Sequence, residues 1–215
     1  TEDEAVARSL ADLRYLLASQ TAPSETAAMI LEPVLGEGGY FPAPTAFLQG
    51  IREICDEHGI LFIADEVQCG FARTGRMFFV EESGVRPDIL VMAKGIASGF
   101  PIAAIGASAD LMAKWPVGSH GGTYGGNPMG CAAALATIDV LTAAGFLSNV
   151  VDRGAQLRDG LRSIAQDHPV IADVRGPGLM VAAELRDPAT GEPDAARTAA
   201  VIAHCRTESN LLLMN

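Results

Sequence analysis

Charged side chains stand directly after three short apolar runs, where a strand would deliver them to one edge of a sheet. Glu32 follows Ala27-Ala28-Met29-Ile30-Leu31, Asp65 and Glu66 follow Ile60-Leu61-Phe62-Ile63-Ala64, and Lys94 follows Ile89-Leu90-Val91-Met92-Ala93. A lysine so placed is unusual, because lysine is rarely buried without a partner. Burial there would lower its pKa and expose a neutral, nucleophilic amine of the kind that condenses with carbonyl groups. From the pattern alone, a lysine that simply emerges into solvent at a strand end fits equally well. Asp65 taken alone is just as consistent with a helix cap or an arginine pair.

The elements that would position these groups follow from periodicity. Val6, Leu10, Leu13 and Leu17 have helical spacing, and Thr1 with Glu4 has the pattern of a capping box over residues 1–19. Residues 44–58 read as a helix closed by Gly59. The apolar runs 27–31, 60–64 and 88–93 read as buried strands, followed by a turn at 95–101 and an apolar segment at 102–107. Apolar strands alternating with helices predict a mostly parallel α/β sheet covered on both faces. Ligands of such sheets gather beyond the carboxyl ends of the strands, which is where Glu32, Asp65 and Lys94 fall.

Further along, residues 116–128 read as a glycine-rich loop, with helices expected over 129–143 and 151–166. Short strands are expected at 171–174 and 179–185, then a polar turn at 187–193 and a helix to about Glu208. The apolar stretch Leu211 to Asn215 has the look of a strand beginning. A domain change is expected between 140 and 170, giving one unit over 1–150 and a second, partial one over 151–215.

Composition narrows the function classes. The chain of 215 residues is 49% hydrophobic, enough for a core, and its net charge of −11 argues against general nucleic-acid binding. There are only two lysines, Lys94 and Lys114. Cys55, Cys69, Cys131 and Cys205 form no close pair, and His58, His120, His168 and His204 have no metal-ligand spacing, so neither a disulfide framework nor a metal site is expected. No apolar run reaches membrane-spanning length and no signal-peptide pattern opens the chain, so a soluble, cytoplasmic protein is expected.

Four stretches, in order, carry a resemblance: Glu32-Pro33-Val34-Leu35-Gly36-Glu37-Gly38-Gly39, Asp65-Glu66-Val67-Gln68-Cys69-Gly70-Phe71-Ala72-Arg73-Thr74-Gly75, Ala93-Lys94-Gly95-Ile96-Ala97-Ser98-Gly99-Phe100-Pro101, and Gly122-Thr123-Tyr124-Gly125-Gly126-Asn127-Pro128. Over essentially its whole length the chain resembles the class III, or ω-, aminotransferases, which include 4-aminobutyrate and ornithine aminotransferases and use pyridoxal 5′-phosphate (PLP). The resemblance implies a fold type I, PLP-dependent transferase-like large domain with a mostly parallel sheet, plus part of a smaller α+β C-terminal domain.

The resemblance also implies residue roles. Lys94 would hold PLP as a Schiff base and then shuttle a proton. Asp65 would pair with the pyridine nitrogen, Val67 would pack on a ring face, and Gln68 would hydrogen-bond near the phenolic oxygen. Thr123 would reach the cofactor phosphate of a neighbouring subunit in a homodimer, with Gly121, Gly122, Gly125 and Gly126 allowing the close backbone approach. Glu37 would pair with an active-site arginine and help the site take both amine and dicarboxylate substrates, and Glu32 would make a nearby polar contact. Leu35 and Cys69 depart from the residues of many relatives, Gln and Thr respectively.

The activity implied is transfer of an amino group from an ω-amino acid such as 4-aminobutyrate to a keto acid, with 2-oxoglutarate as acceptor. A decarboxylase, racemase or aminomutase on the same scaffold, or an inactive fragment making only structural or dimer contacts, remain alternatives. In the family a Ser-Gly phosphate loop and a ring-stacking aromatic residue would lie before Thr1, and a substrate-binding arginine beyond Asn215. Poor transamination is therefore expected of these 215 residues alone.

Overall fold

In the computed structural model, which describes residues 1–214, the chain opens with α1 (Glu2–Ser19), capped by the expected reciprocal Thr1–Glu4 box. Two parallel pairings build the centre: β1 (Ala28–Leu31) lies beside β4 (Leu61–Asp65), and β4 beside β5 (Ile89–Met92). The fourth strand, β6 (Ala104–Ala107), runs antiparallel to β5, giving the order β1-β4-β5-β6. Between β1 and β4 the chain makes a small antiparallel hairpin, β2 (Val34–Leu35) and β3 (Phe41–Pro42), and then α2 (Thr45–His58). Gly59 ends α2 at φ +70, a left-handed conformation glycine adopts without strain.

One face of this sheet is well covered. Phe62, Ala64, Met29, Leu31 and Leu90 pack with Leu17 of α1 and Leu48, Ile51 and Ile54 of α2. The sheet was expected to be covered on both faces, and here the structure differs. The opposite face carries Ile30, Ile63, Ile89, Val91 and Ile105 by register, and Ile30 and Ile105 on the edge strands are 62% and 43% exposed. No described helix lies over them, since α1 and α2 both pack on the other side. Asp65 shares this open face, because its register partner is Val91.

A short α3 (Ala109–Met112) leads to the glycine-rich loop, and α4 (Pro128–Leu141) starts from an Asn127 side chain that accepts from the Gly130 N–H. α4 packs Ala134 and Leu141 against Phe71, Ala72, Ile96 and Ala97. The next helix begins earlier than its periodicity predicts: α5 covers Phe146–Asp167 because Gly145, at φ +85, turns the chain into it. No single described helix is long and apolar enough to cross a membrane.

A second sheet pairs β7 (Ile171–Arg175) antiparallel with β8 (Ala182–Leu185), and α6 (Ala195–Glu208) follows. The strand expected over 179–185 starts only at Ala182. Residues 176–181 turn instead: the Leu179 N–H donates to Arg73 O (3.0 Å) and the Met180 N–H to Pro177 O (3.0 Å). Among the described residues Leu211 to Met214 form no strand and make one main-chain hydrogen bond, from the Leu211 N–H to Cys205 O (3.0 Å), and a strand needs a pairing partner. Asn215, the last residue of that expected strand, lies outside the described residues.

Glycine makes the close approach between the two sheets possible. A Cβ on Gly154 of α5 would lie 2.0 Å from Gly178 O, and one on Gly178 would lie 2.4 Å from the Thr74 carbonyl carbon. Alanine at position 154 gains about 1 kcal/mol of helix propensity. Overpacking against backbone costs roughly 1–3 kcal/mol, and rigid backbone cannot yield as a side chain does. Gly154→Ala is therefore expected to destabilise the fold, read as a lower urea midpoint with unchanged m; a midpoint at or above the parent's would show that α5 can shift freely.

Candidate active site

The sheet brings the ends of β4 and β5 side by side. Asp65 closes β4 opposite Val91, and the Glu66 N–H donates to Val91 O (3.0 Å), tying the two strand ends together. Asp65 Oδ1 accepts from the Val67 N–H (3.0 Å), a turn that orients the carboxylate. Its other oxygen accepts no hydrogen bond among the described residues. Lys94 lies two residues beyond β5 and opens a short 3₁₀ turn, Lys94–Ala97. Among the described residues its amine makes neither a hydrogen bond nor an ion pair.

The backbone around Lys94 is strained. Lys94 itself has φ +44, and Phe71 (+53), Ala72 (+69) and Ser98 (+49) share the left-handed region although none is glycine. Each such residue costs roughly 1–3 kcal/mol, and clusters of them mark functional sites. The turns they form are in direct contact: a Cβ on Gly95 would lie 2.9 Å from Phe71 Cβ. Of the two readings of a strand-end lysine, burial or emergence into solvent, the described residues leave Lys94 exposed, in the turn that follows the strand. A broad concavity of about 830 Å³ touches Lys94 together with Phe100, Leu141 and Phe146. Asp65, Val67 and Gln68 do not line it, so it lies beside the Lys94–Asp65 edge rather than on it.

Beneath Asp65 sits a group whose burial the sequence does not reveal. Glu66 is completely buried; Oε1 accepts from the Val80 N–H (2.7 Å) and Oε2 from the Cys69 thiol (2.8 Å). Burial pushes the Glu66 carboxyl above its ordinary range, partly offset by these donors, and burial also pushes the Cys69 thiol up, keeping it a protonated donor. The residue therefore underpins the 65–70 turn from inside. Val34, Cys69, Phe79 and Met180 pack together around the same spot.

Removing that carboxyl leaves the Val80 N–H without its acceptor, which costs about 2–3 kcal/mol. Glu66→Ala is expected to show that loss, and Glu66→Gln, which still offers an acceptor to Val80, a much smaller one. The sign with pH follows from the raised folded pKa: the native state binds the proton more tightly than the unfolded chain does. Stability is then greatest below the unfolded carboxylate range and falls as pH rises through the folded value. Glu66→Gln removes this slope. Urea melts across pH measure both effects, and a Gln variant with the parental slope would show that another group titrates.

The remaining predicted residues gather around the β2–β3 hairpin. Glu37 stands in its turn, residues 36–40, and accepts from Gln68 Nε2 (2.7 Å). Gln68 thus pairs with Glu37, and a Cβ on Gly36 would lie 2.8 Å from the Gln68 amide. Glu32 Oε2 accepts from the Gly36 N–H (2.6 Å), so it braces the hairpin from below. Val67 is half-buried next to Asp65. Thr123 is exposed in the loop before α4, away from these groups in contact terms. Among the described residues, Cβ atoms on Gly121, Gly122 and Gly126 would meet nothing within 4 Å, and one on Gly125 would lie 3.6 Å from Gly122 O, so this loop is open.

Two residues escaped the sequence reading. Glu66 reads as half of an Asp-Glu pair at a strand end, and only its position inside the packed turn makes it a strut. Arg175, from β7, reaches the hairpin and donates to Gly39 O (2.7 Å); no local signal links positions so far apart in the chain. Among the described residues no group of three or more His, Cys, Asp or Glu could hold a metal ion.

The chain is 44% identical over 214 residues to the 4-aminobutyrate aminotransferase GabT of Escherichia coli (strain K12), covering 99% of this chain and 49% of that protein. It is 49% identical over 164 residues to the acetylornithine aminotransferase of Rhodobacter capsulatus, covering 76% of this chain and 42% of that one. Among solved structures, an amine transaminase from an uncultivated Pseudomonas species, in a PLP-bound form, superposes with a TM-score of 0.89 at 36% identity, covering 100% of this chain and 50% of that chain. The chain thus spans about half the length of the curated relatives it matches. The family model for class III aminotransferases matches residues 1–210, and the chain belongs to that family.

Proposed function

We propose that this chain supplies the lysine and ring-binding part of a PLP-dependent aminotransferase that moves an amino group from an ω-amino acid, 4-aminobutyrate or a close analogue, to 2-oxoglutarate. The observation that carries the proposal is the placement of Lys94, whose amine has no partner among the described residues, and the half-used Asp65 carboxylate at the ends of adjacent parallel strands. That donor set suits a cofactor with an aldehyde and a ring nitrogen: an amine for the first, a fixed negative charge for the second. When bound, PLP supplies an electron-withdrawing ring and a carbonyl that accepts the amino group.

The chain's own residues do the rest. Lys94 Nζ is the group that would hold the cofactor's aldehyde end and would serve as the base that moves a proton at the substrate. The Asp65 carboxylate would face the ring nitrogen and favour its protonated form. Val67, next in the turn, offers an apolar surface to the ring. Gln68 and Glu37, already paired, form the polar wall where substrate carboxylate or amine is sorted. Thr123, exposed on its loop, is free to serve a second subunit's cofactor phosphate in a homodimer. The 44% identity to a 4-aminobutyrate aminotransferase supports the donor, whereas the 49% identity to an acetylornithine aminotransferase favours an acetylated ω-amino acid as the second reading.

The test loads the full-length protein with PLP, adds each donor separately, and follows the cofactor spectrum and glutamate formed from 2-oxoglutarate. Borohydride reduction followed by peptide mapping then locates the modified lysine. Label on Lys94 with a donor-dependent spectral change supports the proposal. Label on Lys114, or release of CO₂ or inverted amine without glutamate, overturns it.

A further inference from the structure

The turn that carries Glu37 is held from the other sheet. Arg175 closes β7, and its Nε donates to Gly39 O (2.7 Å) across 136 residues of sequence. Its guanidinium carbon lies 3.8 Å from the centre of the Phe41 ring, and Nη1 donates to Asp173 (2.8 Å) and Glu184 (2.6 Å). One planar group therefore stacks on β3, grips the main chain of the hairpin turn and is itself fixed by two carboxylates. The arginine side chain is only 14% exposed, while Asp173 at 51% lies open to solvent. Glu184 is held below the usual carboxylate range by the bonds from Arg175 and Arg186.

Besides Arg175, the hairpin turn is held by Glu32 through the Gly36 N–H and by Tyr40, which packs against Val34, Cys69, Phe79 and Met180, so Arg175 is its tie to the second sheet. Phe41 and Leu35 are about half exposed, at 48% and 46%, and Tyr40 takes a left-handed φ of +58. Glu37 is exposed, and its one side-chain tie among the described residues is to Gln68. Holding Gly39 and Phe41 therefore restrains the side of the turn that follows Glu37, and with it where the carboxylate sits relative to Gln68.

We propose that Arg175 is a positioning residue that sets the discrimination between amine donor and dicarboxylic acceptor by fixing the hairpin that carries Glu37. It touches no reacting atom and acts through the turn. The inference rests on Glu37 facing substrate. Lysine does not replace this arginine, because a point charge cannot stack on Phe41 and donate in plane to Gly39 and Glu184 together.

The experiment compares Arg175→Lys, Glu37→Gln and the double variant in the PLP-loaded full-length protein. It measures kcat/KM for 4-aminobutyrate and for 2-oxoglutarate in separate half-reactions. Arg175→Lys is expected to shift the ratio of the two roughly tenfold, in the same direction as Glu37→Gln, with the cofactor spectrum unchanged. In the double variant the Arg175 change is expected to add less than about twofold, since both act through one carboxylate. Phe41→Leu, which removes the stacking and no charge, shifts the ratio the same way by less, and serves if Arg175→Lys folds poorly.

Multiplying effects in the double variant, or an unchanged ratio in both Arg175→Lys and Phe41→Leu, overturn the role of Arg175. An unchanged ratio in Glu37→Gln removes the ground for the substrate role of Glu37 itself, and the inference about Arg175 falls with it. The two failures are told apart by which variant is silent.

Discussion

Replacing Lys94 by alanine is expected to lower turnover of the PLP-loaded enzyme by at least about 10³-fold, because a covalent tether and a proton carrier are lost together. Folding is expected to be unaffected. The Lys94 side chain is exposed and makes no hydrogen bond among the described residues, so its removal leaves no cavity and no orphaned partner there. Lys114→Ala, at the only other lysine, is the control and is expected to retain activity. Steady-state transamination with 4-aminobutyrate and 2-oxoglutarate, together with thermal melts, measures both quantities. A Lys94→Ala variant within about tenfold of the parent rate would sink the assignment and return Lys94 to being a strand-end residue that merely meets solvent.

The second large effect is expected at Asp65. Asparagine keeps the oxygen that accepts from the Val67 N–H, so the turn survives while the negative charge goes. Asp65→Asn is expected to slow turnover roughly 10²-fold, the scale of losing one aligned electrostatic partner, and to change stability by less than about 0.5 kcal/mol. This separates two roles that coexist in one side chain. If Asp65 were only the cap of the 65–67 turn, Asn would serve equally well in both measurements. Single-turnover kinetics and urea melts of the same preparation decide between them, and parental turnover in Asp65→Asn would falsify the ring-binding role.

Both predictions concern residues whose placement was legible before any coordinates. The apolar runs ending at Leu31, Ala64 and Ala93 became parallel β1, β4 and β5, and their polar successors fell at one edge. That legibility has a simple origin. An apolar run of strand length declares its own burial, and parallel pairing through helical crossovers aligns carboxyl ends without reference to any particular contact. The capping box at Thr1 and the Gly59 stop are equally local, and both are present.

Elsewhere the local signal misled or was silent. Residues 179–181 look like the start of a strand, yet Gly178 must fit against Thr74, and that contact holds them in a turn. The Gln68–Glu37 hydrogen bond joins residues 31 positions apart, and no local signal links them.

Lys94 shows both limits at once. Its type, its strand-end position and the motif around it were readable from the order of residues alone. Its left-handed backbone and its exposure were not, because they arise where the 94–97 turn packs on the 70–72 turn, with Gly95 against Phe71. Glu66 and Arg175 are the same case. A buried carboxyl acquires its role from Val80 and Cys69 closing over it, and a guanidinium from a hairpin 136 residues distant. The sequence by itself determined which residues stand at the sheet edge, since burial pattern is a property of neighbours in the chain. The tertiary structure alone decided what holds them there, since those forces act between segments that meet only when folded.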